Sequence, residues 1–176
     1  LGFSSAASDV YKRQDTDSPF FAYLSFQAQH IPLQAPQEFI DKYLTTYEEG
    51  WDVLREQRKN KAVEKGIFPP DKKIVDSMSS LDSWSALDQE SKKMIIKSMA
   101  VFAGMLDAMD FHIGRFMTYL KKEGLYENTI FIVTADNGPE GNDPSDHAPW
   151  REWFKTTIYD RDYETLGDQD LSLIHI

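Results

Sequence analysis

The amino-acid sequence predicts an α/β fold with a mainly parallel sheet and a long crossover helix. Three observations predict it: apolar runs at residues 19–26 and 129–134 and, between them, a long helical period of apolar residues. A strand, a crossover helix and a second strand form a βαβ unit, whose strands run parallel. The first run is almost wholly apolar, which favours a strand buried on both faces.

The first predicted strand leads into a loop that contains prolines. Pro32 and Pro36 keep this loop out of a helix, because proline lacks an amide donor and restricts the residue before it. We expect the polar, charged stretch that follows to lie at the surface of the protein. We expect helices to open at Pro36 and to cover 47–65 and 81–93, where helix-forming residues are frequent.

The clearest period in the sequence predicts a long helix. Its apolar residues recur at alternating spacings of four and three and form one stripe: Ile95, Met99, Phe102, Leu106, Met109, Ile113, Phe116 and Leu120. The stripe requires a helix of about 26 residues, and Gly124 is placed to end it. We expect this helix to pack on the sheet. A coiled coil is the alternative, but the stripe stops where the second strand begins.

The loops that follow the two strands are the expected functional site. Ligands of open α/β sheets bind beyond the carboxyl ends of the strands, and parallel strands bring those ends to one edge. His30 lies in the first loop, and Asp136 and Asn137 lie in the second. The predicted topology therefore places these three residues at the same edge.

Asp136 and Asn137 supply a carboxylate and an amide oxygen on adjacent residues. Oxygen donors of this kind suit Ca²⁺ or Mg²⁺ better than zinc. The alternative is an Asx-turn, in which the same side chains bond the local backbone before a glycine. An EF-hand is excluded, because its loop positions 3, 5 and 12 would be Gly138, Glu140 and His147.

The imidazole of His30 can accept a hydrogen bond, donate to an anion or protonate a leaving oxygen. The alternative is a loop histidine that bonds only to the backbone. We expect His147 and His112 to be solvated, and Asp107 to cap or form an ion pair. His175 belongs to a C-terminal segment that looks foreign. No glycine-rich phosphate loop, GxSxG or HExxH motif occurs.

Composition limits the possible classes of protein. The 176 residues include 19 basic and 29 acidic side chains, for a net charge of −10, which argues against a general nucleic-acid binder. No apolar run approaches the roughly 20 residues that span a bilayer, so no membrane span is predicted. The chain has no cysteine, which excludes disulfides and thiolate chemistry within it.

Both ends of the chain look foreign to the rest. Residues 1–14 and 171–176 resemble translated sequencing-adapter read-through. The first segment lacks the apolar h-region of a signal peptide. We therefore expect residues 15–170 to be an internal piece of a longer protein.

Motifs in the two loops and in the long helix carry a family resemblance. Residues 20–36 contain FFAYL and HIPLQAP, residues 103–115 read AGMLDAMDFHIGR, and residues 128–138 read NTIFIVTADNG. In this order they resemble the sulfatase family of the alkaline-phosphatase-like superfamily. Within the family, the resemblance is closest to bacterial arylsulfatases at Glu140-Gly141, Tyr159-Asp160, Glu164 and Gly167. The resemblance implies an alkaline-phosphatase-like α/β/α sandwich, with residues 15–170 as part of its catalytic domain.

The resemblance also implies roles for the candidate residues. Asp136 and Asn137 resemble two ligands of a single active-site Ca²⁺, and His30 resembles the histidine that contacts the substrate sulfate beside the leaving oxygen. The implied enzyme is an arylsulfatase that hydrolyses small-molecule sulfate esters. Its nucleophile is a formylglycine, made from Cys or Ser in C/S-x-P-x-R, that attacks sulfur and expels the alcohol or phenol.

Several family elements do not occur in this chain. The C/S-x-P-x-R motif, the early Asp-Asp pair that completes the calcium shell and the later lysine are absent. We therefore expect the isolated chain to bind metal poorly and to be inactive. Two alternatives stay open for the longer protein: a phosphodiesterase or phosphonate monoester hydrolase of the same superfamily, and a non-catalytic sulfatase-like protein. Related enzymes are often periplasmic or secreted.

Overall fold

The computed structural model describes residues 18–30, 33–74, 83–138 and 163–167, and these ranges are mainly helical. The α-helices are α1 (Gln37–Ile40), α2 (Gly50–Glu64) and α3 (Gln89–Lys122). Short 3-10 helices lie at Asp41–Tyr43, Trp84–Ala86 and Tyr126–Asn128. Within the described ranges, no helix is long and apolar enough to cross a membrane.

The long helix predicted from the apolar period is confirmed as α3. Asp88 caps its first turn, accepting from the Ser91 backbone N–H at 2.7 Å and from the Ser91 hydroxyl at 2.8 Å. At the other end Gly124 has φ +69°, and the Leu125 N–H donates to the Leu120 carbonyl at 2.9 Å. This is a Schellman motif, which requires a left-handed residue at the position that glycine occupies.

The polar, charged stretch after the first loop contains the predicted helix near 47–65, which is α2. Gly50, its first residue, has φ +80° and lies so close to the Trp84 ring that a Cβ there would approach it to 2.3 Å. The rings of Trp51 and Trp84 meet edge to face at 5.1 Å. In the region predicted as helix at 81–93, the described part is a 3-10 turn at Trp84–Ala86 followed by the start of α3.

One face of α3, with Gly104 at its closest point, packs against α1. The buried members of this face are Ala100, Val101, Gly104, Met105 and Ala108. A Cβ on Gly104 would lie 3.1 Å from the Ile40 backbone nitrogen. Glycine therefore allows the two backbones to approach directly, and the Phe39 and Ile40 side chains are buried beside them.

The stripe of large apolar residues does not form this buried face. At about 100° per residue, the stripe is centred roughly 140° around α3 from the face that contacts α1. Phe102 and Leu106 are 37% and 45% exposed, whereas Leu120 at the end of the stripe is fully buried. The period identified the helix but not its closest contact with α1, because that contact is made at Gly104, which has no side chain to contribute to a hydrophobic pattern.

The two predicted strands carry no strand pairing in the described part of the chain. Phe21 and Tyr23 in the first run, and Ile130 and Ile132 in the second, are each more than 80% exposed. The β-pairing shown is one isolated parallel bridge between Gln34 and Gly167. The parallel sheet stays a prediction, and so does the packing of α3 on it.

A small core joins three other parts of the chain to α3. It contains Ala35 from the loop after the first run, Ile40 of α1, Leu166 of the last described segment, and the α3 residues Ala100, Val101 and Met105. Leu33, Tyr43, Leu44 and Met94 pack around it. The core thus fixes the end of the loop that contains His30, called the His30 loop.

We predict that Gly104→Leu destabilises the chain, because the new side chain must displace the α1 backbone. The expected cost is about 1–3 kcal/mol in the free energy of unfolding, measured by urea denaturation followed by circular dichroism. Gly114→Leu is the matched control, because a Cβ at Gly114 would meet nothing within 4 Å. Equal stabilities of the two variants would contradict the close contact at Gly104.

We also predict that the Asp88 cap makes stability depend on pH. Hydrogen bonds from the Ser91 N–H and hydroxyl hold the pKa of Asp88 below its ordinary value. A carboxyl with a depressed folded-state pKa stabilises the fold above its unfolded pKa, and that contribution is lost as the pH falls through the folded pKa. Asp88→Ala is therefore expected to lower the Tm at pH 7 by about 2–4 °C.

The difference in Tm between wild type and Asp88→Ala is expected to narrow as the pH falls from about 5 to 3. Asp88→Asn, which keeps a neutral cap, serves as the control for the loss of charge alone. If this difference in Tm stays constant between about pH 5 and 3, ionisation of Asp88 does not contribute to the stability of the fold.

Candidate functional site

The turn that follows the second apolar run holds the two predicted oxygen donors. The Asn137 N–H donates to Oδ1 of Asp136 at 3.0 Å, and Nδ2 of Asn137 donates to the Gly138 carbonyl at 2.7 Å. All three residues are exposed. These contacts are local bonds between side chain and backbone, but they join neighbouring residues and are not the i to i+2 bond of an Asx-turn. They use the N–H groups of Asn137 and one carboxylate oxygen. The remaining oxygens, Oδ2 of Asp136 and Oδ1 of Asn137, are acceptors of the type a hard cation requires.

His30 lies at the end of a tight turn. The His30 N–H donates to the Gln27 carbonyl at 3.0 Å, and Gln29 between them has φ +78°. A left-handed conformation is uncommon for a residue other than glycine, and it sets the direction in which the chain leaves the turn. His30 itself is exposed. Sequence patterns did not reveal the role of Gln29, because its residue type gives no indication of a positive φ.

Just beyond His30, the chain is held in the core. The Ala35 N–H donates to the Gly167 carbonyl at 3.2 Å, next to the Gln34–Gly167 bridge. Ala35 is 2% exposed. The sequence pattern gave no local reason to connect residues 163–167 with this loop, since the contact joins positions more than 130 residues apart.

Of the three predicted site residues, the structure shows a contact between Asp136 and Asn137, which are adjacent in sequence. Among the described residues, no group of three or more His, Asp or Glu side chains is arranged to hold a metal ion. The proximity of His30 to the pair stays a prediction. His147 and His175 lie outside the described residues, as do residues 1–14, 140–141, 159–160 and 171–176.

The other predicted polar residues of α3 have structural contacts. Asp107 forms an ion pair with Lys42 at 2.7 Å, so its predicted ion-pair role is confirmed. The hydrogen bond to Asp107 raises the pKa of Lys42, and burial raises the pKa of Tyr43 beside it. His112 is partly buried rather than fully solvated. Its pKa is lowered by burial and by nearby Arg115, whose Nη1 lies 3.2 Å from Nδ1 of His112.

Comparison with known proteins identifies the family. A family model described as Sulfatase matches residues 5–166, and the chain therefore belongs to the sulfatase family, as its motifs predicted. Membership implies the alkaline-phosphatase-like α/β fold of that family. The matched range begins within residues 1–14, and the foreign origin of that segment stays a prediction.

Individual relatives agree with this assignment. The chain is 40% identical over 142 residues to an uncharacterized sulfatase of Schizosaccharomyces pombe, covering 80% of this chain and 26% of that protein. It is 32% identical over 169 residues to an arylsulfatase of Klebsiella aerogenes, covering 92% of this chain and 36% of that protein. An arylsulfatase of Clostridium perfringens is 27% identical over 150 residues, or 85% of this chain and 27% of that protein. The chain thus spans between about a quarter and just over a third of the length of these curated relatives.

Proposed function

We propose that this chain is part of a calcium-dependent arylsulfatase that hydrolyses small-molecule sulfate esters. The observation that carries the proposal is the exposed Asp136-Asn137-Gly138 turn, which presents two oxygen donors directly after an apolar run. It occurs in a sulfatase-family chain that is similar to two bacterial arylsulfatases. The turn supplies the metal-binding part of the proposed site, and His30 supplies the part that contacts substrate.

The donor set supports Ca²⁺ as the metal. A carboxylate and an amide oxygen are hard donors, and Ca²⁺ takes about six to eight of them. Asp136 and Asn137 would hold the ion together with ligands outside this chain. Bound there, Ca²⁺ would polarise the sulfate group as a Lewis acid and offset the negative charge on its oxygens.

His30 would orient the sulfate group and assist departure of the alcohol. Its imidazole N–H can donate to a sulfate oxygen, and its cationic form can give a proton to the leaving oxygen. The left-handed Gln29 and the Gln27–His30 bond hold the backbone of His30 in one direction. An exposed side chain on a fixed backbone suits a group that must reach a substrate in the same geometry each time.

We place the nucleophile outside this chain, as a formylglycine made from Cys or Ser in C/S-x-P-x-R. Neither that motif nor any cysteine occurs in the 176 residues. The residues described here would therefore bind and orient the sulfate ester, while the group that attacks sulfur comes from another part of the longer protein.

Asn137 distinguishes this proposal from a two-metal phosphodiesterase or phosphonate monoester hydrolase. Such sites use imidazole nitrogen to hold their metals, and an amide oxygen at this position suits a harder ion. A non-catalytic sulfatase-like protein remains the alternative from another class. It predicts a full-length sequence without the nucleophile motif.

The first experiment is to recover and translate the coding DNA on both sides of this segment and to express the full-length protein. We expect C/S-x-P-x-R after an Asp-Asp pair, and hydrolysis of an aryl sulfate with kcat/KM well above that for an aryl phosphodiester. His30→Ala is expected to lower kcat by about 10²–10⁴-fold. An open frame without the nucleophile motif, or preference for the phosphodiester, would refute the proposal.

The chain taken alone is predicted to bind Ca²⁺ weakly and to hydrolyse no aryl sulfate. With two donors in place of about six, the expected Kd is about 1 mM or weaker, measured by calorimetric titration with CaCl₂. The variant Asp136→Asn should weaken binding further, while the remote change Asp71→Asn should leave it unchanged. A micromolar Kd that Asp136→Asn does not affect would place a calcium site elsewhere in the chain.

A further inference from the structure

The last described segment lies against the base of the His30 loop. We call this segment, residues 163–167, the clasp. It contacts the loop through Gly167, the core through Leu166, and α3 through the backbone of Tyr163 and Glu164. A five-residue segment with three separate attachments can hold a neighbouring loop in one position.

Gly167 makes the contact with the loop. It forms a parallel bridge with Gln34, and its carbonyl accepts from the Ala35 N–H at 3.2 Å. Its φ is +97°, and a Cβ there would lie 2.6 Å from Cγ2 of Val101 and 3.0 Å from Cδ1 of Ile40. Both the backbone conformation and the available space therefore require glycine.

Lys97 of α3 binds the N-terminal end of the clasp, at Tyr163 and Glu164. Its ammonium group donates to the carbonyls of Tyr163 and Glu164, the latter at 3.3 Å, and lies 4.7 Å from the centre of the Tyr163 ring. One cation thus satisfies two backbone acceptors and one aromatic face. Leu166, 6% exposed, fills the core between this contact and Gly167.

The clasp fixes the chain a few residues beyond His30. The turn at Gln27–His30 fixes it on the preceding side. The position of His30 therefore depends on two anchors, of which one is local and the other is supplied by α3 and the clasp.

We propose that Lys97 and Gly167 are positioning residues that set the place of the His30 loop. Neither needs to contact substrate, because they act through the backbone of residues 34–35. The catalytic consequence rests on the proposed function, in which His30 contacts the sulfate ester. The structural consequence can be measured in the present chain without any activity.

The first test measures amide hydrogen exchange and NMR spectra of the 176-residue chain. Lys97→Met removes the ammonium group and is expected to speed exchange of the Ala35 amide by about tenfold or more and to shift the His30 amide resonance. Lys97→Arg restores a donor for both carbonyls. It should return the Ala35 exchange rate and the His30 amide resonance to near wild-type values. Lys93→Met, one turn earlier on α3, removes the same charge from an exposed position and should change neither. Unchanged Ala35 exchange and His30 resonance in Lys97→Met would overturn the proposal.

The second test is a double-mutant cycle in the full-length enzyme, assayed on an aryl sulfate. Lys97→Met is expected to lower kcat by about tenfold with less than about a threefold change in KM, and Lys97→Arg should restore it. In a His30→Ala background, Lys97→Met should have no further effect, because the group that it positions is gone. If the losses in kcat caused by Lys97→Met and His30→Ala multiply in the double variant, Lys97 acts independently of His30, and the positioning role is overturned.

The outcomes separate this inference from the proposed function. A wild-type full-length protein that does not hydrolyse sulfate esters rejects the function, and the exchange experiment still decides whether the clasp holds the loop. Gly167→Ala provides an independent variant, expected to speed Ala35 exchange as Lys97→Met does. Wild-type-like exchange of the Ala35 amide in Gly167→Ala would likewise overturn the proposal.

Discussion

The direct backbone contact between α1 and α3 is the constraint on which the rest of the described structure depends. A Cβ on Gly104 would lie 3.1 Å from the Ile40 nitrogen, and the alanines on either side of Gly104 keep the whole face flat. Close approach places Ile40 against Val101 and Met105, and Ala35 and Leu166 complete this core. Because the core includes parts of the chain far apart in sequence, it fixes the loop after His30 as well as α1 and α3.

The long helix α3 has two apolar faces with different compositions. The face that contains Gly104 packs against α1. The opposite face, made of large residues such as Phe102 and Leu106, is half exposed in the described part of the chain. A helix with apolar residues on two sides can pack on a sheet with one face and on α1 with the other, which is compatible with the α/β fold implied by membership of the sulfatase family.

The two halves of the candidate site are held by different kinds of interaction. The Asp136–Asn137 turn is organised by hydrogen bonds within three consecutive residues. His30 instead depends on a tight turn before it and on a contact with Gly167 after it. Under the proposed function, the oxygen donors for the metal are arranged by local bonds, whereas the histidine that contacts the substrate is held by distant parts of the fold.

The sequence by itself determined the long helix, its glycine stop, the family and the candidate residues His30, Asp136 and Asn137. These follow from local spacing, capping chemistry and short motifs, which act within a few residues of one another. Tertiary structure decided which face of α3 is buried, the left-handed Gln29 and the contact of residues 163–167 with the His30 loop. None of these follows from local pattern, because small residues carry no hydrophobic period and contacts between distant segments form only when the core brings them together.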